Sequence, residues 1–480
     1  MNTNTKTNTK NVCANSTIDN GTFKLSTEQL YVFNKYKQGD NIFITGPGGV
    51  GKSALIKHIY RDAKHNNKEI FVTALTGCAA ILLECSARTL HSWAGIGLGN
   101  KPVNALISNI RKRPLTFANW KYTNILIIDE ISMLSLKLFN KLDEIGKIIR
   151  RNNKPFGGIQ VIFSGDFYQL PPVGDKDDIE TQQFCFESNE WNNTFKSLNQ
   201  LNLTKIFRQT DEVYATILTQ LRQGIIKKRN NELLLTHVNR EKSADLVTTP
   251  VKLLPTKNKV ENINNQQMSL IQENIYEFNM ECKNDLPITS KSDTQTRSLF
   301  TLQDIETEQL YLMGNLRCDK NIKLKIGAQV MCIINFSIDD MIQLCNGSQG
   351  IITGFCETTG YPIVKYNNGI EMIMARNVWE SEKIPGVGVS QIPLILAWAL
   401  TIHKSQGSTL DTAEIDAGSS IFDYGQTYVA LSRVKSLNGL YLTSFDASKI
   451  KINVIVKQFY ATLETIEDAI TKENETIENA

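Results

Sequence analysis

The octapeptide GPGGVGKS, Gly46 to Ser53, constrains the fold of this chain more than any other stretch. It matches G-x-x-x-x-G-K-[ST], follows the apolar run NIFIT and opens the helix-patterned KSALIKHIYRDAKHN. Glycines let successive backbone N–H groups turn inward around an anion, and the N-terminus of the next helix adds partial positive charge. A bare strand–turn–helix needs neither a lysine nor a hydroxyl at the last two positions. The spacing therefore predicts a cradle for the phosphates of ATP made by Gly46, Pro47, Gly48, Gly49, Val50 and Gly51, with Lys52 reaching the β- and γ-phosphates and Ser53 holding Mg²⁺.

Such a loop belongs at the edge of a parallel sheet, and the surrounding pattern agrees. NIFITG (41–46), IFVTAL (70–75), NILIIDE (124–130) and IQVIFSGD (159–166) read as buried strands separated by helical stretches. A second set, PVKLLPT (250–256), LILAWALTI (394–402), TAEIDA (412–417) and GLYLTSF (439–445), predicts another α/β domain. Between the sets, residues near 320–375 become short strands punctuated by Gly and Asn, the pattern of a small antiparallel β insertion. The chain has 480 residues, which suits several domains rather than one core.

Two further strand ends carry chemistry. In ILIIDEISML the apolar residues 125–128 cross the core and Asp129 and Glu130 emerge at the C-terminal end, where open α/β sheets bind ligands. Asp129 is expected to hold Mg²⁺ through water, and Glu130 to orient or deprotonate the attacking water. FSGDFYQLPPV (163–173) ends a strand expected beside that one. This places Gln169 to sense the γ-phosphate or its water, on a loop stiffened by Pro171 and Pro172. Phosphoryl transfer also builds charge that cations from a neighbouring domain stabilise, and Arg208 in KIFRQTD and Arg433 in GQTYVALSRVKS are the candidates. Gln29 in LSTEQLYVF is a candidate for the adenine edge, because an amide both donates and accepts.

Composition excludes several other classes. A hydrophobic fraction of 41% and a charged fraction of 21% are those of a soluble globular protein, and no apolar run reaches membrane-spanning length or forms a leader. Nine cysteines without a CxxC pair predict reduced thiols in an intracellular protein rather than zinc, a cluster or disulfides. The net charge of +3 is too small to demand nucleic acid, so any basic track must be local. Residues 1–20 are polar and low in complexity and predict disorder. Phe459, Leu463, Ile466 and Ile470 predict a last amphipathic helix before an acidic tail.

The order of these motifs resembles that of the PIF-type DNA helicases, a B-type, RecD-related branch of helicase superfamily one, from about Leu25 to Phe445. LSTEQ is similar to the Q motif, GPGGVGKS and IIDEISML to motifs I and II, and TALTGCAA with TLHSWAGIG to motif Ia and its sequel. PFGGIQVIFSGDFYQLPPV resembles the family signature running into motif III, FRQ motif IV, LAWALTIHKSQGSTLD motif V and GQTYVALSRVKSLNGLYL motif VI. The chain departs modestly, with Pro47-Gly48-Gly49-Val50 in place of the usual Ser-Ala-Gly-Thr and with LLECSA at 82–87, where Glu84 could alter DNA contacts.

The resemblance implies two RecA-like parallel-sheet domains. Domain 1A is expected over 21–200, with a 1B wedge near 84–105, and domain 2A over 201–285 and 390–460. An SH3-like 2B module is expected over 286–389, and a terminal helix and acidic tail over 461–480. It implies that Arg208 and Arg433 contact the γ-phosphate, that Gln406 and Gly407 lie near the nucleotide, and that movement runs 5′-to-3′. The expected partners are single-stranded DNA and forked or tailed duplexes, gripped through phosphates without base reading, by a protein monomeric when free and serving replication, repair or recombination. Thr76, His91, Ser92, His403, Lys404 and Ser405 are the contact candidates, with Trp93 as a stacking or wedge residue. Two rivals remain: a translocase that strips proteins with little unwinding, and a nucleotide-switched DNA-binding module. The full set Lys52, Asp129, Glu130, Gln169, Arg208 and Arg433 disfavours the second, since a switch could dispense with several.

Overall fold

The computed structural model describes residues 25–471 apart from 84, 98, 176, 210, 243–246, 285–300, 317, 335, 339–340, 345, 382–383, 385, 406–407 and 420. The expectations for residues 1–20, Glu84, Gln406, Gly407 and the last residues of the acidic tail lie outside the described residues. No helix among the described residues is long and apolar enough to cross a membrane.

The first lobe is a six-stranded parallel sheet in the order β3-β2-β4-β5-β1-β6. Its strands are β1 (Ile42–Thr45), β2 (Ile70–Ala74), β3 (Arg88–Thr89), β4 (Ile125–Asp129), β5 (Gln160–Ser164) and β6 (Gln200–Asn202). Every residue of β1 and β4 is buried, as continuous apolar runs require when helices cover both faces. β4 and β5 are neighbours with Ile127 opposite Ile162, so their C-terminal ends open on one edge. Helix α1 (Thr27–Gln38) starts in a capping box between Ser26 and Gln29, and α2 (Lys52–His65) buries Leu55, Ile56, Ile59 and Ala63 against the sheet.

The second lobe has four parallel strands. β7 (Val251–Leu254) lies between Ala399–Thr401 and Ala413–Ala417, and Leu440–Phe445 completes the edge. The helices Glu212–Arg222 and Gln426–Leu431 contribute Tyr214, Ile217, Leu221, Val429 and Leu431 to its core.

Three expectations need correction. LILAWALTI is two strands in two sheets. Leu394–Leu396 pairs antiparallel with Gln329–Cys332 of the insertion, whereas Ala399–Thr401 pairs parallel with β7. Both halves are apolar, so periodicity cannot register the change of sheet. The antiparallel insertion is also wider than 286–389, because Tyr276–Asn279, Glu281–Asn284, Val387–Gln391 and Leu394–Leu396 all pair within it. Finally, the terminal segment is not one helix. Val454–Ala461 ends at Thr462, Thr465 bridges to Asn202, and a helix resumes at 466. Phe459, Tyr460 and Leu463 pack on one core of the first lobe and Ile466 on the other, so the chain returns from the second lobe to the first.

Candidate active site

The phosphate loop joins β1 to α2 in the strand–loop–helix context its sequence demands. Lys52 Nζ donates to the carbonyls of Gly46 (2.6 Å) and Pro47 (3.1 Å). Burial holds the ammonium below its ordinary pKa, although Asp166, Glu130 and Asp129 pull it back up. A half-buried cation resting on two carbonyls, at the head of a helix, fits an anionic ligand.

Lys52, Ser53, Asp129, Glu130, Gln169, Arg208 and Arg433 all line one crevice of about 490 Å³. Asp129 ends β4 and is 7% exposed; desolvation raises its pKa. Glu130 follows at φ 55° and ψ 42°, a left-handed conformation costly for a residue with a Cβ and typical of functional turns. Gln169 is buried three residues beyond Asp166, with its N–H on the Asp166 carbonyl at 2.9 Å. Arg208 runs beside the loop, because Phe207 N–H donates to the Gly49 carbonyl at 2.8 Å. A Cβ on Gly49 would stand 2.6 Å from Arg208 Cβ, and Gly49 sits at φ 94°, so only glycine fits there. Burial lowers the Arg208 pKa as well.

Arg433 comes from the second lobe. It lies just beyond helix Gln426–Leu431 rather than on it, with Nε donating to the Val429 carbonyl (2.9 Å) and Nη2 to Ser432 Oγ (2.8 Å). A Cβ on Gly48 would find Arg433 Nη2 at 3.8 Å and Arg208 Nη1 at 3.9 Å, so both guanidiniums face the loop. The oxygen donors Ser53 and Asp129 on one crevice suit a hard cation that keeps waters and phosphate as its other ligands, as Mg²⁺ does.

The remaining candidates divide. Both ends of the Gln29 amide are engaged within the protein: Oε1 accepts from Ser26 N–H (3.0 Å) and Nε2 donates to the Val50 carbonyl (3.3 Å). Gln29 is fully buried and braces the phosphate loop here. Trp93 is fully buried, 4.7 Å from Trp120 ring to ring, and is a core residue rather than an exposed wedge. Ser405 is also buried, its hydroxyl donating to the Ile402 carbonyl at 2.8 Å, which leaves none to offer DNA. Thr76, His91 and Ser92 are half-buried and Lys404 is exposed. His91 lines a separate groove of about 510 Å³ between the 91–100 segment and the 172–181 loop, and burial lowers its pKa. His403 is the second residue of the short helical turn Ile402–Ser405.

Sequence reasoning missed several residues at the crevice. Asn346 and Thr409 line it, the first from the β insertion. Asn346 Nδ2 donates to the Ile333 carbonyl at 2.8 Å. Tyr428 reaches the edge of the crevice by accepting the Gly48 N–H, and Arg222 joins Tyr428 on the carboxylate of Asp166. The one sequence signal for Tyr428 is its place five residues before Arg433 on a wholly buried helix.

A phosphate loop on one parallel-sheet lobe, faced by guanidiniums from the linker and from a second such lobe, defines the two-lobed P-loop fold. The chain belongs to the PIF1-like helicase family. The family model for PIF1-like helicase matches residues 24–232, and that for the DNA helicase Pif1 2B domain matches residues 313–355. The human ATP-dependent DNA helicase PIF1 is 34% identical over 444 residues; the match takes in 92% of this chain and 64% of the human protein, so the chain spans less than two thirds of that relative. The crystal structure of Pif1 helicase from Candida albicans shares 36% identity at a TM-score of 0.70, over 92% of this chain and all of that one (100%). Pif1 helicase from Bacteroides in complex with ADP-AlF3 and single-stranded DNA shares 28% identity at a TM-score of 0.59, over 92% of this chain and 97% of that one.

Proposed function

We propose that this protein is an ATP-dependent DNA helicase that moves 5′-to-3′ on single-stranded DNA and opens forked or tailed duplexes during replication, repair or recombination. The observation that carries the reading is the common crevice, in which Lys52, Asp129, Glu130 and Gln169 of the first lobe meet Arg208 and Arg433. Family membership and the DNA-bound Bacteroides relative support the choice of substrate.

In this reading Lys52 and the loop amides hold the phosphates of ATP. Ser53 and Asp129 would hold Mg²⁺, which would supply positive charge against the phosphates. Glu130 takes the proton of the attacking water, and Gln169 orients that water. Arg208 and Arg433 stabilise charge on the transferring group, and this draws the lobes together; phosphate release lets them part. Alternating grip by the lobes converts the cycle into movement. Thr76, His91, Ser92 and Lys404 are the proposed phosphate contacts, made without base reading by a protein that is monomeric when free and meets replication or repair partners.

Two assays test this. ATP turnover should rise on addition of single-stranded DNA, and Lys52→Ala should abolish it. Strand displacement should proceed on a 5′-tailed duplex and fail on a 3′-tailed one. Unwinding of the 3′-tailed substrate alone overturns the direction, and stimulated turnover without displacement of either favours the translocase.

A further inference from the structure

Beyond the residues that line the crevice, a buried polar hub ties the two lobes together. Asp166, two residues beyond the end of β5, is fully buried. Arg222 of the second lobe binds it in bidentate fashion, with Nη2 at 2.9 Å from Oδ1 and Nε at 3.0 Å from Oδ2. Tyr460 Oη donates to Oδ1 at 3.1 Å, and Tyr168 N–H reaches the same oxygen at 3.2 Å. Arg222 also packs over the rings of Tyr168 (4.7 Å) and Tyr460 (4.9 Å). The second-lobe residue Tyr428 completes the hub. Its hydroxyl donates to Asp166 Oδ2 at 3.4 Å and accepts the Gly48 N–H at 2.9 Å.

A phenol has one proton. With that proton on Asp166, the Tyr428 oxygen occupies the Gly48 N–H, a donor of the phosphate loop. The same point on the loop is flanked by Arg433 and Arg208, so it faces the end of the cradle where those two guanidiniums converge. A terminal phosphate oxygen and the Tyr428 oxygen are therefore rivals for one N–H.

We propose that Tyr428 is a positioning residue that reads the terminal phosphate: its hydroxyl holds Gly48 when that phosphate is absent and gives it up when the phosphate arrives. Release is transmitted along an existing path. Asp166 carries both the Tyr428 contact and, through its carbonyl, the N–H of Gln169 at 2.9 Å. Arg222 clasps the same carboxylate and packs on Tyr168, the residue before Gln169. Gly425, at the start of the Tyr428 helix, abuts this loop so closely that a Cβ would stand 2.3 Å from the Tyr168 carbonyl. Loss of the Gly48 bond therefore shifts the second lobe relative to the loop that presents Gln169. This deepens the proposed ATPase cycle and rests on it.

The test is Tyr428→Phe, which deletes the hydroxyl and little else. Calorimetric titration would use Mg²⁺ with ADP, then Mg²⁺ with the non-hydrolysable β,γ-imido analogue of ATP. Deleting the rival should tighten the triphosphate analogue about two- to tenfold, the range for one hydrogen bond, and leave ADP unchanged. KM for ATP should fall, and kcat with saturating single-stranded DNA should fall with it, because Gln169 no longer receives the signal. A merely structural role would weaken both nucleotides alike. Equal change in ADP and analogue, or no change in either, overturns the proposal. Should Tyr428→Phe fail to fold, Tyr428→Met, also lacking the hydroxyl, is expected to give the same split. Binding does not depend on turnover, so a wild type that binds both nucleotides yet hydrolyses nothing would refute the helicase reading and leave this comparison intact.

Discussion

The two lobes are built alike and equipped differently. Each is a parallel sheet, of six strands in the first and four in the second. The first delivers its working groups from the C-terminal ends of β4, β5 and β1, which are consecutive in one sheet. The phosphate loop, Asp129, Glu130 and Gln169 are thus assembled by hydrogen bonds inside one rigid body. The second lobe supplies Arg433 from beyond a short helix, and the linker supplies Arg208. Their distance to the phosphate depends on how the lobes meet. In the proposed cycle, binding groups on one lobe and charge-stabilising groups outside it would make hydrolysis sensitive to lobe geometry, and so to whatever moves the lobes.

Removing a group from either side should therefore give different losses. Arg433→Ala is expected to cost about a thousandfold in kcat, as for cations supplied from a neighbouring body, while nucleotide affinity changes only a few-fold. Steady-state ATPase and nucleotide titration check this; a variant that keeps its kcat would show that the second lobe merely covers the site. Asp166→Ala strips the partner from a buried guanidinium and should destabilise the fold by about 3–5 kcal/mol in denaturant unfolding. A loss under 1 kcal/mol would mean that the lobes are not joined through this pair. Glu130→Gln keeps the shape and removes the base, so turnover should drop about a hundredfold with ATP still bound. The smallest effect belongs to Trp93→Phe. The Trp93 indole N–H meets no partner among the described residues, so the change costs only the space left by a smaller ring in the core, about 1–2 kcal/mol, and should leave single-stranded DNA affinity unchanged. A clear drop in DNA affinity would return Trp93 to the DNA track.

Much of the first lobe was legible because its signals are local. Four apolar runs ended where turn residues or carboxylates began, and β1, β2, β4 and β5 fell inside them. The second lobe was harder to read, because LILAWALTI serves two sheets without a change in character. The site divides in the same way. Lys52, Asp129 and Glu130 follow from motif and strand end, whereas Gln29 could be placed only by seeing Val50 and Ser26 take up its amide. Trp93 and Ser405 look the same in sequence whether a side chain faces DNA or a core.

The sequence by itself determined the phosphate cradle, the carboxylates beside it and the two parallel sheets, because each rests on contacts between residues close in the chain or on the period of an apolar run. Only the tertiary structure decided that Asp166, Arg222, Tyr428 and Tyr460 share one buried hub. These residues are separated by 56 to 294 positions in contact pairs, and no local pattern encodes which distant donor will satisfy a buried carboxylate.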